Sequence, residues 1–241
     1  MSSTFHGITP GVAFGKPGPF AALVAAGSSL LTGLVSWWDL DEESGVRADS
    51  VGAHDLTDNN TVLYDTGVIG NSAKFDNTNG EYLEKSGISP AIDIRGMSFW
   101  VKPLATDATY EFYLGAIDAW ASDISLQVYK YNTQIVANAT ADGLVQATTT
   151  ALVAGNWHHI TAWWEDSEKK VYICVNNGTP VASSATTGTH DTAAKIILSG
   201  AAAGSFHASA NIDLAGIWSR VLTADERTEL YNLGAGKDYP F

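Results

Sequence analysis

The sequence predicts an all-β protein: an antiparallel β-sandwich with one short C-terminal helix, preceded by an extended N-terminal arm. Three observations predict it. From Leu34 onward the chain falls into short runs rich in aromatic and β-branched residues, separated by clusters of Gly, Asn, Asp and Thr. That is the rhythm of strands joined by turns. Several runs also alternate: Trp157, His159, Thr161 and Trp163 fall on one face of a strand, and His158, Ile160, Ala162 and Trp164 on the other. Finally, Thr223-Ala224-Asp225-Glu226 forms a capping box, with Gly234 placed to end the helix it starts.

The elements follow in order. Residues 1–32 form the arm. Gly7 to Pro19 reads as turn-rich extended chain, and Phe20 to Ala26 is apolar like the centre of a signal peptide. Its flanks do not match, because Lys16, set among Pro17, Gly18 and Pro19, is the one Lys or Arg before it. No run reaches the ~18 apolar residues of a membrane span, so no membrane insertion is expected.

Residues 33–241 form one sandwich. Strands are expected at Leu34–Leu40, Gly80–Glu84, Met97–Lys102, Tyr110–Ile117, Ile124–Tyr131 and Gln134–Ala139. Others follow at Val145–Thr150, Trp157–Trp164, Lys170–Asn176, Lys195–Leu198 and Asn211–Trp218, with the helix at Thr223–Leu233. Glu165 to Glu168 is the polar turn of a hairpin, and Leu230 and Leu233 are the residues expected to dock the helix.

With 45% hydrophobic and 16% charged residues the chain can bury a real core. Its 26 acidic and 13 basic side chains leave a formal charge of -13, which repels a phosphate backbone, so nucleic acid is a poor partner. One cysteine, Cys174, cannot form an internal disulfide and reads as a small buried hydrophobe.

Three segments carry a resemblance: Gly33-Leu34-Val35-Ser36-Trp37-Trp38-Asp39-Leu40-Asp41-Glu42; Met97-Ser98-Phe99-Trp100-Val101-Lys102 together with Asn156-Trp157-His158-His159-Ile160-Thr161; and Asn211 through Thr223, leading into Glu229-Leu230-Tyr231-Asn232. Together they resemble the laminin-G-like branch of the concanavalin A-like lectin and glucanase superfamily, of the kind found in bacteriophage virion proteins and bacterial surface proteins. The resemblance implies a jelly roll of two curved antiparallel sheets.

It also implies candidate chemistry. Glucanases of the superfamily carry a Glu-x-Asp-x-x-Glu strand motif, which this chain lacks, so the protein is expected not to be an enzyme. His158 and His159 point to opposite faces and cannot share a metal. Relatives bind a structural Ca²⁺ through residues that match Asp49 and Asp213 here, and hard carboxylate oxygens suit that ion. Indoles stack on the apolar faces of sugars. Of eight tryptophans, Trp37, Trp100, Trp157 and Trp218 are expected in the core; Trp120, in the loop-like Asp118–Asp123, is the first candidate carbohydrate platform, followed by Trp163 or Trp164.

The expected role is a non-catalytic surface protein of a virion, acting as a decoration, fibre or tail component. Its arm would contact other virion or surface-assembly subunits, and its lectin-like domain would meet glycans. The alternatives are a free lectin or binding module located outside the cell or at its surface, and, further off, a glycoside hydrolase.

Overall fold

The computed structural model describes residues 28–104, 109–119, 122–200 and 205–241, and in them two antiparallel sheets lie face to face. The first strands are β1 (Leu34–Trp38), β2 (Thr57–Asn59), β3 (Leu63–Thr66), β4 (Asn71–Phe75), β5 (Tyr82–Lys85), β6 (Gly96–Pro103), β7 (Tyr110–Ala119) and β8 (Asp123–Tyr131). They are followed by β9 (Gln134–Thr140), β10 (Leu144–Thr150), β11 (His158–Glu165), β12 (Lys170–Val175), β13 (Val181–Ala182), β14 (Ile196–Leu198) and β15 (Ala210–Trp218), and then helix α1 (Ala224–Tyr231). An eight-stranded sheet runs β13-β12-β11-β6-β15-β4-β3, with β1 also paired to β15. The seven-stranded sheet runs β10-β9-β8-β7-β14-β5-β2.

Alternation sends Phe99, Val101, Ile160, Trp164, Ile173, Ile212 and Ile217 of the first sheet inward against Leu83, Leu114, Leu126, Val128, Ile135, Ile196 and Leu198 of the second. The outer faces are apolar as well. On the eight-stranded sheet Leu30, Trp37, Trp100, Leu214, Trp218, Leu222 and Leu230 form a separate cluster beneath α1 and the C-terminal segment. Tyr231 stacks on Trp100 with centroids 5.8 Å apart, and Phe241 meets Trp37 edge-on at 4.9 Å. On the seven-stranded sheet Phe112, Ile117, Ile124, Tyr129, Val136 and Ile197 form a third cluster.

The capping box forms as expected. Thr223 Oγ1 accepts from Glu226 N, and Glu226 Oε2 accepts from Thr223 N at 2.8 Å. The same carboxylate takes both terminal nitrogens of Arg220 at 2.7 Å, and with these donors it titrates at about 2. Arg220 also donates to the carbonyls of Ser29 and Thr32, while Trp218 Nε1 donates to Leu30 O. Residues 28–32 are thereby packed into the sandwich, although the sequence assigned them to the arm. Residues 1–27 of that arm lie outside the described residues.

Other expectations are corrected. The helix ends at left-handed Asn232 (φ 45°), two residues before Gly234, and the next residue, Leu233, is turned out with 93% of its surface exposed. Leu230 docks the helix as expected, and Tyr231 takes the place of Leu233. Strands β2, β3, β4 and β13 are additional to those expected. Cys174 is buried, as its apolar run implied, and burial pushes its thiol up. The two histidines do diverge: His159 bonds Ser98 Oγ at 2.8 Å, and His158 meets Val153.

Because Leu30 is fully buried, Leu30→Ala is expected to cost about 2–5 kcal/mol of unfolding free energy in urea. A loss below about 0.5 kcal/mol, the scale of a neutral surface change, would mean that residues 28–32 are not part of the folded unit.

Candidate functional site

The two carboxylates expected to hold calcium serve different turns. Asp49, its side chain fully buried, accepts from Trp37 N (3.1 Å), Val51 N (3.0 Å) and His54 N (3.2 Å). It ties the loop after β1 back onto that strand. Asp213 lies in β15, where Oδ2 accepts from Val68 N (2.6 Å) and Ile69 N (3.3 Å). Its Oδ1 is buried without a hydrogen-bond partner. Burial, with a smaller push from nearby Asp41, raises its pKa to about 8 against the pull of those backbone donors. The two acids share no hydrogen-bond partner, and three backbone N–H donors take three of the four lone-pair sites of Asp49. Among the described residues no group of three or more His, Cys, Asp or Glu is placed to hold a metal.

The expected sugar platforms fare as follows. Trp164 faces the main core with no exposed surface and stacks on His190 at 5.0 Å. Trp163 is enclosed between Tyr172, parallel to it within 3° at 5.0 Å, and the Arg227 guanidinium 4.3 Å from its ring. Neither offers a sugar an open face, because β11 is covered on both sides. Trp120 lies outside the described residues.

An acidic depression of about 270 Å³ is lined by Asp39, Asp41, Glu42, Ala48 and Ser50. Most of its oxygens have local work: Asp39 accepts from Trp37 Nε1 and Ser50 Oγ, Asp41 from Asn71 N, and Glu42 from Ala48 N. Asp238 is raised to about 6 by burial and by Asp39, with a smaller push from Asp41. The cluster can therefore hold a proton near neutral pH.

The outer face of the seven-stranded sheet is built differently. Strand register aligns Gly115, Gln127, Asn138 and Gln146 in one row across β7, β8, β9 and β10. Phe112, Tyr129, Val136 and Thr148 form the adjacent row, and Tyr110, Tyr131, Gln134 and Thr150 the next. Tyr129 Oη accepts from Gln146 Nε2 at 2.8 Å and from Asn138 Nδ2 at 3.5 Å, and burial carries its phenol to about 12. Both polar atoms of the Gln127 amide and Oδ1 of Asn138 are buried without hydrogen-bond partners. Gly115 makes room for this packing: a Cβ there would come within 2.6 Å of the Phe112 ring and 2.8 Å of Gln127 Cβ.

Toward β10 the face opens. Tyr131, Gln134, Gln146 and Thr150 are exposed, and an open groove of about 570 Å³ is lined by Thr133, Gln134, Thr148, Thr149, Thr150, Ala151 and Val181. Hydroxyls and amides that both donate and accept, beside tyrosine rings, can bind a ligand rich in hydroxyl groups. The three rows contain no carboxylate.

Comparison with known proteins agrees with this architecture. The family model for a laminin-G-like domain of the concanavalin A-like lectin/glucanases superfamily matches residues 96–226, from β6 into α1. The chain belongs to that superfamily. No curated protein matches it in sequence. Among solved structures, Trypanosoma rangeli sialidase in complex with sialic acid superposes with a TM-score of 0.63 at 16% identity, over 86% of this chain and 34% of the sialidase. The botulinum neurotoxin serotype D binding domain gives 0.65 at 12% identity, over 83% of this chain and 51% of that domain. The type G receptor binding domain gives 0.63 at 14%, over 83% and 51%. The chain thus spans a third to a half of these neighbours, and at such identities the likeness is one of fold.

The raised pKa of Asp213 has a sign that can be tested. The folded state holds this proton to about pH 8 while the unfolded chain releases it near 3.8. Its stabilising contribution is therefore complete below pH 3.8 and falls as pH rises toward 8, by at most about 1.4 kcal/mol per unit. Asp213→Asn is expected to flatten the stability profile over that window, measured by urea unfolding at several pH values. Parallel profiles for the variant and the parent would show that Asp213 is ionised in the fold.

Proposed function

We propose that this chain is a non-catalytic, lectin-like surface domain that binds glycans along the groove beside β10. The observation that carries the reading is the combination in one place of an open groove of about 570 Å³, a rim of threonines and Gln134, and the neighbouring tyrosine and amide rows. A pyranose presents hydroxyls that such side chains pair with and apolar ring faces that tyrosine accepts.

A retaining glycosidase needs two carboxyl groups about 5–5.5 Å apart. The three rows across β7–β10 supply none. Of the acids with raised pKa values, Glu111 is paired with Lys130 in the interior, Asp213 is sealed from solvent, and Asp238 lies beside Asp39. These features support a binding role over a hydrolytic one.

In this reading the N-terminal arm tethers the domain to other subunits of a larger assembly, in first place a virion surface. The acidic charge and the lectin-like fold are consistent with display outward. The alternative, a free lectin or a binding module of an extracellular protein, keeps the groove and dispenses with the tether.

On a glycan array, Gln134→Ala combined with Thr148→Ala is expected to weaken the strongest signal about tenfold or more, as the loss of one or two hydrogen bonds implies. Arrays with no signal, or variants that bind like the parent, would refute the groove. Removing residues 1–27 separates tether from free lectin. Loss of particle association with glycan binding intact supports the tether, and unchanged association contradicts it.

A further inference from the structure

A second cavity, distinct in chemistry from the groove, opens between the two sheets at one end of the sandwich. It measures about 260 Å³ and is lined by Pro103 of β6, Tyr113 of β7, Lys130 of β8, Ile135 of β9, Asn132 and Thr133 of the β8–β9 turn, and Ala151 and Leu152 after β10. Pro103, Ile135, Ala151 and Leu152 make apolar walls. Thr133 and Ala151 also line the groove outside.

Beside this space the protein buries an ion pair. Lys130 Nζ lies 3.1 Å from Glu111 Oε2, and both side chains are almost wholly enclosed. Tyr113 Oη donates to the same carboxylate oxygen at 3.5 Å, and Glu111 Oε1 accepts from Ser209 N at 3.2 Å. Burying two charges is expensive, and an apolar pair of equal volume would commonly serve stability as well or better. Placing the pair where Lys130, and the Tyr113 that bonds Glu111, line a cavity gives it a use that core packing does not require.

The volume and walls limit what the cavity can hold. It would take several waters, at about 30 Å³ each, but a buried water needs two to four polar partners and most of the wall offers none. An apolar cavity of about 150 Å³ accepts benzene, so this one accommodates a ring with a short substituent. A sugar would leave most of its hydroxyls unpaired against Pro103, Ile135 and Leu152. A carboxylate or an amine would unbalance a site in which Glu111 already neutralises Lys130. One neutral hydroxyl fits, because it accepts from the Lys130 ammonium and donates to the Tyr113 oxygen, which keeps a lone pair while its own proton serves Glu111.

We propose that the cavity between Tyr113, Lys130 and Leu152 binds a small uncharged single-ring alcohol, with the ring against Pro103, Ile135 and Leu152 and the hydroxyl on Lys130 and Tyr113. This gives the domain a second, apolar ligand next to its polar groove.

Benzyl alcohol and its hydroxyl-free isostere ethylbenzene are the probes, titrated into the full chain while the methyl resonances of Ile135 and Leu152 are followed by NMR. Saturable shifts are expected with both, with benzyl alcohol bound at least about tenfold more tightly, the worth of a hydrogen bond to a charged group. Ala151→Phe fills the space and is expected to abolish the shifts while the rest of the spectrum stays folded. Tyr113→Phe keeps the ion pair and is expected to reduce the preference for the alcohol. Shifts that rise linearly without saturation, equal affinity for the two probes, or shifts that persist in a folded Ala151→Phe variant would each overturn the proposal.

Discussion

Both sheets are greasy on both sides, and that condition governs the rest of the molecule. A sandwich needs only its inner faces apolar. Here Trp37, Trp100 and Trp218 on one outer face, and Phe112, Ile117 and Tyr129 on the other, are buried as well. Each outer layer therefore has to be covered by chain that is not in the sheet. The C-terminal helix, the final aromatic residues Tyr239 and Phe241, and residues 28–32 do this for the eight-stranded sheet, held by the fan of hydrogen bonds from Arg220. Phe206 contributes on the seven-stranded side. The abundance of aromatic residues, which in a lectin-like sequence invites a search for sugar platforms, is consumed largely in this second layer of packing.

Polar groups inside such a body are of two kinds. Some are fully matched, as Glu226 is between Arg220 and the helix start, and the match holds that acid ionised. Others are left short. Asp213 has one oxygen paired and one alone, so the proton stays with it to about pH 8. Gln127 has neither end of its amide paired. An unpaired buried amide costs about 1–3 kcal/mol. The sheet tolerates that cost within the row that leads to the exposed Gln146 and the groove.

Much of this could be read from residues alone, for a physical reason. Strands β6, β11 and β15 carry long apolar runs, and β11 and β12 flank an obvious polar turn, so periodicity located them. The capping box located α1 because its chemistry is local. Strand β4, Asn71-Ser72-Ala73-Lys74-Phe75, has only two apolar residues, and β13 has two residues in all. Neither produces a pattern. The faces of Trp163 and Trp164 were not decidable either, since alternation says which residues share a side but not which side is open, and here neither is. The amide row did leave a signal. Gln127 and Asn138 lie equally far from the Asn132-Thr133 turn, as Asn138 and Gln146 do from the next one, so hairpin register alone would have aligned them. Asp49 and Asp213 were legible as acids in the right elements, but their separation into two backbone-capping roles depends on loop geometry that spacing does not encode.

With much of the outer faces sealed by the chain itself, we propose that recognition is left to the strip where the seven-stranded sheet ends at β10. Hydrogen–deuterium exchange with and without a bound glycan tests this directly. Protection confined to residues 131–150 is the predicted result. Protection centred on β11, or on the acidic depression of residues 39–50, would contradict it.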